Sequence, residues 1–277
     1  MTRAPDTSRV EIVAVRGDSI DAREDLVAAE EPMEIRAEGP GRPPARIAVT
    51  MRTPGHDVEL AVGFLFTEGV IAARSELSER VVREAPRPGG KNQVITVQVV
   101  QPFDSTRAAR VLYSTSSCGI CGKAAIEHVE IASEPLAEGP VVALSTLRAL
   151  PQALRSAQAT FDRTGGLHAT ALFDIDGKLV IAREDVGRHN AMDKVVGRMV
   201  LDDRVPLSTS IALVSGRASF ELVQKAAMAG VPILCAVSAP SSLAVALAVR
   251  LRMTLVAFLR DDRLNVYAGA ERIDMTR

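Results

Sequence analysis

From about residue 150 onward the chain alternates short apolar runs with helical patterns of about ten to twelve residues, and no other feature restricts its fold as strongly. Residues 169–173 and 178–182 read as hairpin strands joined through Asp174-Ile-Asp-Gly177. A helix over 189–199 follows, then a strand (211–214), a helix (219–228) closed by Gly230, a strand (233–237), a helix (241–251) and a strand (254–258). Strands separated by helices need crossover connections, so this order predicts an α/β fold with a mixed, mostly parallel sheet covered on both faces, a three-layer arrangement. A last strand over 264–267 is expected to pair by hairpin. Pro151 suits an early-helix position, with Leu154, Ala157 and Phe161 continuing one face.

The first half is less regular. Segments 10–15, 33–36 and 46–51 lean towards strand, and Asp57 opens a helix carrying Val58, Leu60, Ala61, Phe64 and Leu65 at helical spacing. Residues 93–100 alternate like a strand. An acidic stretch with Pro and Gly, 130–140, separates the two halves. The expected organisation is a disordered tail over 1–8, a smaller α+β domain over 9–138 and a larger domain over 139–277.

Composition narrows the function classes. Lys plus Arg is 33 against 34 Asp plus Glu, a net charge of −1, which gives no drive towards nucleic acid or an anionic membrane. Three cysteines, an odd number, argue against a disulfide scaffold. The N-terminus is polar with no apolar signal core behind it, and the richest apolar stretch, 243–259, is broken by Arg250 and Arg252. A cytoplasmic protein is expected.

Two cysteines sit three positions apart in Ser117-Cys118-Gly-Ile-Cys121-Gly-Lys123. Such a pair can supply half a zinc site, cycle between dithiol and disulfide, or carry sulfur as a persulfide. Zinc needs about four ligands, and only His128 lies near enough in sequence to be a third. Gly119 and Gly122 disfavour the helix N-terminus that a thioredoxin-like pair would occupy and describe a bending loop instead. Lys123 favours thiolate over thiol. Cys235 lies inside an apolar run and reads as a small buried hydrophobe.

The densest polar cluster is Arg183-Glu184-Asp185-Val-Gly187-Arg188-His189-Asn190-Ala-Met-Asp193-Lys194, where a strand runs into a helix. A helix N-terminus with Gly and Arg at its mouth suits an anion, although a capped helix with solvated charges would look the same. Gly165, Gly166 and His168 form a turn before a strand; Ser215-Gly216-Arg217 and Ser238-Ala-Pro-Ser-Ser242 follow strands and open helices. Turns of this kind gather outside the carboxyl ends of parallel strands, and together they predict one pocket for a phosphorylated ligand. Neither a Walker loop nor a full Gly-x-Gly-x-x-Gly fingerprint is present, so the ligand is not signalled by a standard nucleotide motif.

These blocks, with Arg52-Thr-Pro-Gly-His-Asp57 and Glu59-Leu-Ala-Val-Gly-Phe-Leu65, resemble in content and order the formate dehydrogenase accessory sulfurtransferase family (FdhD), over residues 52–242. The resemblance implies a larger domain like the cytidine deaminase fold without its zinc site. It implies a sulfur carrier that takes sulfur from a cysteine desulfurase and passes it to the bis(molybdopterin guanine dinucleotide) molybdenum cofactor before that cofactor enters formate dehydrogenase. Cys118 would bear the persulfide and Cys121 would assist. Phe258, Leu259, Arg260, Asp261, Asp262 and Arg263 match a segment assigned to the cofactor, joined by Gly165, Gly166, His168, Arg188, His189, Asn190, Ser215, Gly216, Arg217 and Ser238 in the expected pocket. No protein-held metal is implied, and a homodimer is. A cofactor-binding chaperone that transfers no sulfur, or a thiol-disulfide oxidoreductase, would carry many of the same residues.

Overall fold

The computed structural model describes residues 6–84, 93–103, 134–260 and 262–276. Strands β1 (Thr7–Arg16) and β2 (Ser19–Ala28) form a separate antiparallel hairpin. Thr7 and Ser8, assigned from sequence to the tail, therefore belong to a strand. β2 escapes a reading by pattern because most of its side chains are exposed, so no apolar alternation marks it.

A four-stranded sheet follows, built from β3 (Glu31–Glu38), β4 (Ala45–Arg52), β5 (Leu77–Glu84) and β6 (Gln93–Val99) in the order β4-β3-β6-β5. Along β3, Met33, Ile35 and Ala37 alternate with Glu34 and Arg36, so one face is buried and the other carries the charges. Helix α1 (Asp57–Thr67) is buried at every position but Val58.

A two-stranded ribbon joins β7 (Val142–Ala143) to β14 (Ile273–Asp274). Helices α2 (Leu144–Ser156) and α3 (Ala159–Thr164) precede the larger sheet. That sheet comprises β8 (His168–Asp174), β9 (Leu179–Asp185), β10 (Ser210–Val214), β11 (Ile233–Ala236), β12 (Thr254–Arg260) and β13 (Arg263–Ala268), in the order β13-β12-β11-β10-β8-β9. Helices α4 (Arg188–Leu201), α5 (Phe220–Met228) and α6 (Ser242–Arg250) connect its strands. The expected parallel majority is corrected here. Only β10–β11 and β11–β12 are parallel, while β8–β9, β8–β10 and β12–β13 are antiparallel. The tight turns between β8 and β9 and between β12 and β13 leave no room for a crossover, which forces reversal.

Pro151 is corrected as well. It lies well inside α2, not at its start, because Leu147, Leu150 and Leu154 supply the apolar stripe that holds the helix on the sheet. The helical run then breaks at Ala157–Gln158 before α3, so Phe161 does not continue the same helix.

One continuous core runs from Met33, Ile35 and Ile47 of the smaller sheet through Leu60 and Leu65 of α1 and Val195 and Met199 of α4, to Val214, Leu234 and Leu255 of the larger sheet. The opposite face of the larger sheet packs Phe173, Leu213, Cys235, Val256 and Leu259 against the leucines of α2. α1 and α4 cross at glycines. A Cβ on Gly63 would lie 1.8 Å from the Asp193 carbonyl oxygen, and one on Gly197 would lie 1.8 Å from that of Glu59. Among the described residues no helix is long and apolar enough to cross a membrane.

Candidate functional site

The polar block that ends β9 and opens α4 turns out to interlock with residues 50–59. Lys194 Nζ lies 2.6 Å from Asp185 Oδ2, and it donates to the carbonyls of Thr53 (3.0 Å) and Glu184 (3.2 Å). Asp185 also accepts from the backbone N–H of Thr53 and of Gly187, and from the Asn190 amide. That amide donates a second bond to the Met51 carbonyl at 2.8 Å and accepts one from the Thr50 hydroxyl. Asn190 thus clasps two parts of the chain together and keeps no amide proton for a ligand.

Arg183 forks onto Glu59 at 2.7 and 3.0 Å, and His56 Nδ1 lies 3.1 Å from the same carboxylate. Burial would raise the Glu59 pKa, but hydrogen bonds from His56 and Arg183 outweigh it and bring it down to about 2. Deeper in, Lys225 meets Asp193, Glu68 and Thr67 at 2.8–3.0 Å. Burial opposes its charge, yet the Asp193 and Glu68 carboxylates prevail and raise its pKa. These ions pair with one another and with backbone groups, which ties α1, α4, β9 and α5 together.

A cleft of about 940 Å³ opens at the carboxyl ends of β10, β11 and β12, a volume within the usual range for small-molecule sites. Ser215 and Val237, just past β10 and β11, and Arg260, ending β12, form its floor. Gly165, Gly166, Leu167 and His168 lead from α3 into β8 along one side. α2 lines the other with Arg148, Pro151, Gln152, Leu154 and Arg155. Gly165 takes φ 66° after α3, a conformation that glycine adopts without strain. The Ser215 hydroxyl accepts the Ala169 N–H at 2.9 Å, fixing the floor to the side wall.

Five of the sequence-nominated residues, Gly165, Gly166, His168, Ser215 and Arg260, thus meet in one cleft. Gly216 packs behind it: an added Cβ there would lie 3.3 Å from His168 Nδ1. Arg188 and His189 stand beside this floor, where burial and then the Arg188 cation hold the His168 pKa down. His189 Nε2 lies 3.3 Å from the Ser219 hydroxyl; burial first, then Arg188 and Lys225, bring its pKa down to about 4. Arg217 is exposed on the turn after β10, and Ser238, after β11, accepts the Phe258 N–H at 3.1 Å.

The β12 segment divides. Phe258 has φ 52°, a left-handed value inside a strand, at a register shift against β13. Beyond it Leu259 is wholly buried in the core under α2, while Arg260 reaches the cleft. Leu259 is therefore a core residue rather than a ligand contact. Asp262 and Arg263 are exposed on the hairpin, with the Arg263 guanidinium 5.8 Å from the Phe258 ring. Cys118, Cys121 and Asp261 lie outside the described residues.

Reading by motif missed the α2 wall. Arg148, Arg155 and Gln158 carry no motif, and only the folding of α2 across the strand ends brings them to the glycine turn. Arg155 pairs with Asp162 and stacks 4.8 Å from the centre of the Phe161 ring. The donor set suits an anionic ligand: three arginines border the cleft, and beside it the Arg188 Nε is buried with no hydrogen-bond partner among the described residues.

Fold and cleft together define a mixed α/β protein with an arginine-bordered cleft at its strand ends. The chain belongs to the FdhD/NarQ family, whose model matches residues 28–274. It is 50% identical over 275 residues to the "Sulfur carrier protein FdhD" of Streptomyces coelicolor, covering 96% of this chain and 95% of that one. The protein of the same description from Mycobacterium tuberculosis is 50% identical over 266 residues, covering 92% and 94%. A crystal structure from Desulfotalea psychrophila, assigned as a formate dehydrogenase accessory protein, superposes with a TM-score of 0.73 at 27% identity, covering 98% of this chain and 100% of that one.

Proposed function

We propose that this protein is a sulfur carrier serving formate dehydrogenase, with Cys118 as the sulfur-bearing residue and the cleft as the seat of the sulfur acceptor. The observation that carries the reading is the cleft itself, where separate stretches converge to set a glycine turn, His168 and three arginines around one space. Such a donor set fits the pyrophosphate arms of a guanine dinucleotide, as in the bis(molybdopterin guanine dinucleotide) molybdenum cofactor, which enters here as acceptor substrate. The sulfur half of the reading rests on the half-identical relatives described as sulfur carriers.

In the first step the Cys118 thiolate attacks the terminal sulfur of a persulfide on a cysteine desulfurase. A new S–S bond forms at Cys118, the donor's S–S bond breaks, and the donor cysteine leaves as thiolate, with no net oxidation. In the second, the Cys121 thiolate attacks Cys118 Sγ; the outer sulfur departs as hydrosulfide with the bonding pair, and a Cys118–Cys121 disulfide forms. A dithiol reductant then restores the pair.

The test is intact-mass spectrometry after incubation with a cysteine desulfurase and free cysteine, followed by peptide mapping. One reductant-labile sulfur on the Cys118 peptide, absent in Cys118→Ala, is expected. No added sulfur under matched desulfurase turnover would overturn the carrier role and leave a chaperone that holds the cofactor, whose function would then tolerate loss of both cysteines but not of Arg260.

A further inference from the structure

Gln158 is 5% exposed and lines the cleft, yet its side-chain amide has no hydrogen-bond partner among the described residues. It occupies the N-cap position of α3, where a polar side chain would ordinarily turn back onto the helix's first N–H groups. That duty is taken by another residue. Glu184, on β9, accepts the N–H of Thr160 at 2.9 Å and that of Phe161 at 2.7 Å. The Gln158 amide is thereby released from the helix it precedes, and its place on the cleft lining leaves its donor and acceptor for whatever enters there.

We propose that Gln158 reads the base edge of the nucleotide that enters the cleft, with Phe161 and Arg155 as the surface on which the base stacks. A neutral amide offers a donor and an acceptor side by side, which matches the adjacent carbonyl and N–H of a guanine edge and has no such match on a phosphate, an acceptor only. Phe161 also lines the cleft, with the Arg155 guanidinium 4.8 Å from its ring centre, an arrangement suited to a flat aromatic ligand. The phosphate end then falls to arginines elsewhere on the cleft, Arg260 among them. This assignment rests on the reading of the cleft as a guanine-nucleotide site and adds which end of the ligand lies where.

The experiment is calorimetric titration of the full chain with GDP, with pyrophosphate as a competitor that lacks the base. Gln158→Leu should weaken GDP tenfold or more and leave pyrophosphate within twofold, with an unchanged or raised melting temperature, since no internal hydrogen bond is lost. Gln158→Glu, whose oxygens still accept from guanine N–H groups, should restore part of the GDP affinity, and Arg260→Ala should weaken both ligands. Should the leucine variant lose its cooperative melt, Gln158→Ala is read in the same way. GDP affinity unchanged in the truncated variants would show that the amide meets only water, and equal losses for both ligands would place it on phosphate; either result overturns the proposal. Failure of the unaltered protein to bind GDP would instead remove the nucleotide reading of the cleft, and this assignment with it.

Discussion

Lys194 Nζ and Asp185 Oδ2 face each other at 2.6 Å, with side-chain exposures of 1% and 0%. The pair joins the middle of α4 to the end of β9, and through Thr53 it ties both to the loop before α1. Removing one partner strands the other charge in the interior, which for buried pairs is destabilising by about 3–5 kcal/mol. Lys194→Met and Asp185→Leu should each lower urea stability by that order, and the double variant should lose less than the two losses added. A single variant within about 1 kcal/mol of the unaltered protein would show that the pair is not a structural clamp.

The crossing of α1 over α4 depends on two glycines. With only 1.8 Å between an added Cβ and a backbone oxygen, Gly63→Ala and Gly197→Ala must push the helices apart. Each should lower stability by at least the ~1–3 kcal/mol typical of an overpacked core, seen as a lower urea midpoint. Alanine at either site without loss would mean that the helices separate freely.

His189 makes stability depend on pH. Its pKa is brought from 6.5 to about 4 in the folded protein, by burial first and then by Arg188 and Lys225, with His168 adding to them and Glu221 opposing. The unfolded chain therefore takes up a proton that the folded one refuses, so stability is complete above pH 6.5 and is lost as pH falls towards 4. His189→Asn should flatten part of the decline in urea midpoint between pH 7 and pH 5. An unaltered slope would place the titration elsewhere.

Cys235 should not take part in sulfur chemistry. Burial on β11 pushes its thiol up to about 12, so almost no thiolate exists at neutral pH. Iodoacetamide applied to the native protein should leave Cys235 unmodified, and the same reagent in guanidinium should label it. Alkylation at Cys235 under native conditions would contradict its placement in the core.

Several of these features were legible in the amino-acid order. The alternation after residue 165 marks the strands and helices of the larger sheet because each element buries one apolar face with its own period. The turns at Gly165-Gly166 and Ser215 could be nominated because ends of strands and helices need particular residues whatever surrounds them. What remained hidden was whatever depends on a distant neighbour. β2 has no buried face to mark it, and Pro151 could be placed inside α2 only once the leucine stripe was seen against the sheet. Asn190 looked like a ligand contact until its amide was found on Met51 and Asp185, and Leu259 did so until the shift at Phe258 turned it into the core.

By itself, then, the sequence determined the element order of the larger sheet, the aliphatic core and a pair of cysteines, Cys118 and Cys121, whose spacing narrows their chemistry to a few uses. Only the tertiary structure decided which polar residues face a ligand and which bind the protein to itself. Glu184 shows why: it lies 26 positions from Gln158, yet by capping α3 in its place it frees that amide for the cleft. A side chain's function depends on which of its hydrogen bonds are already made, and those are made by residues far away in the chain.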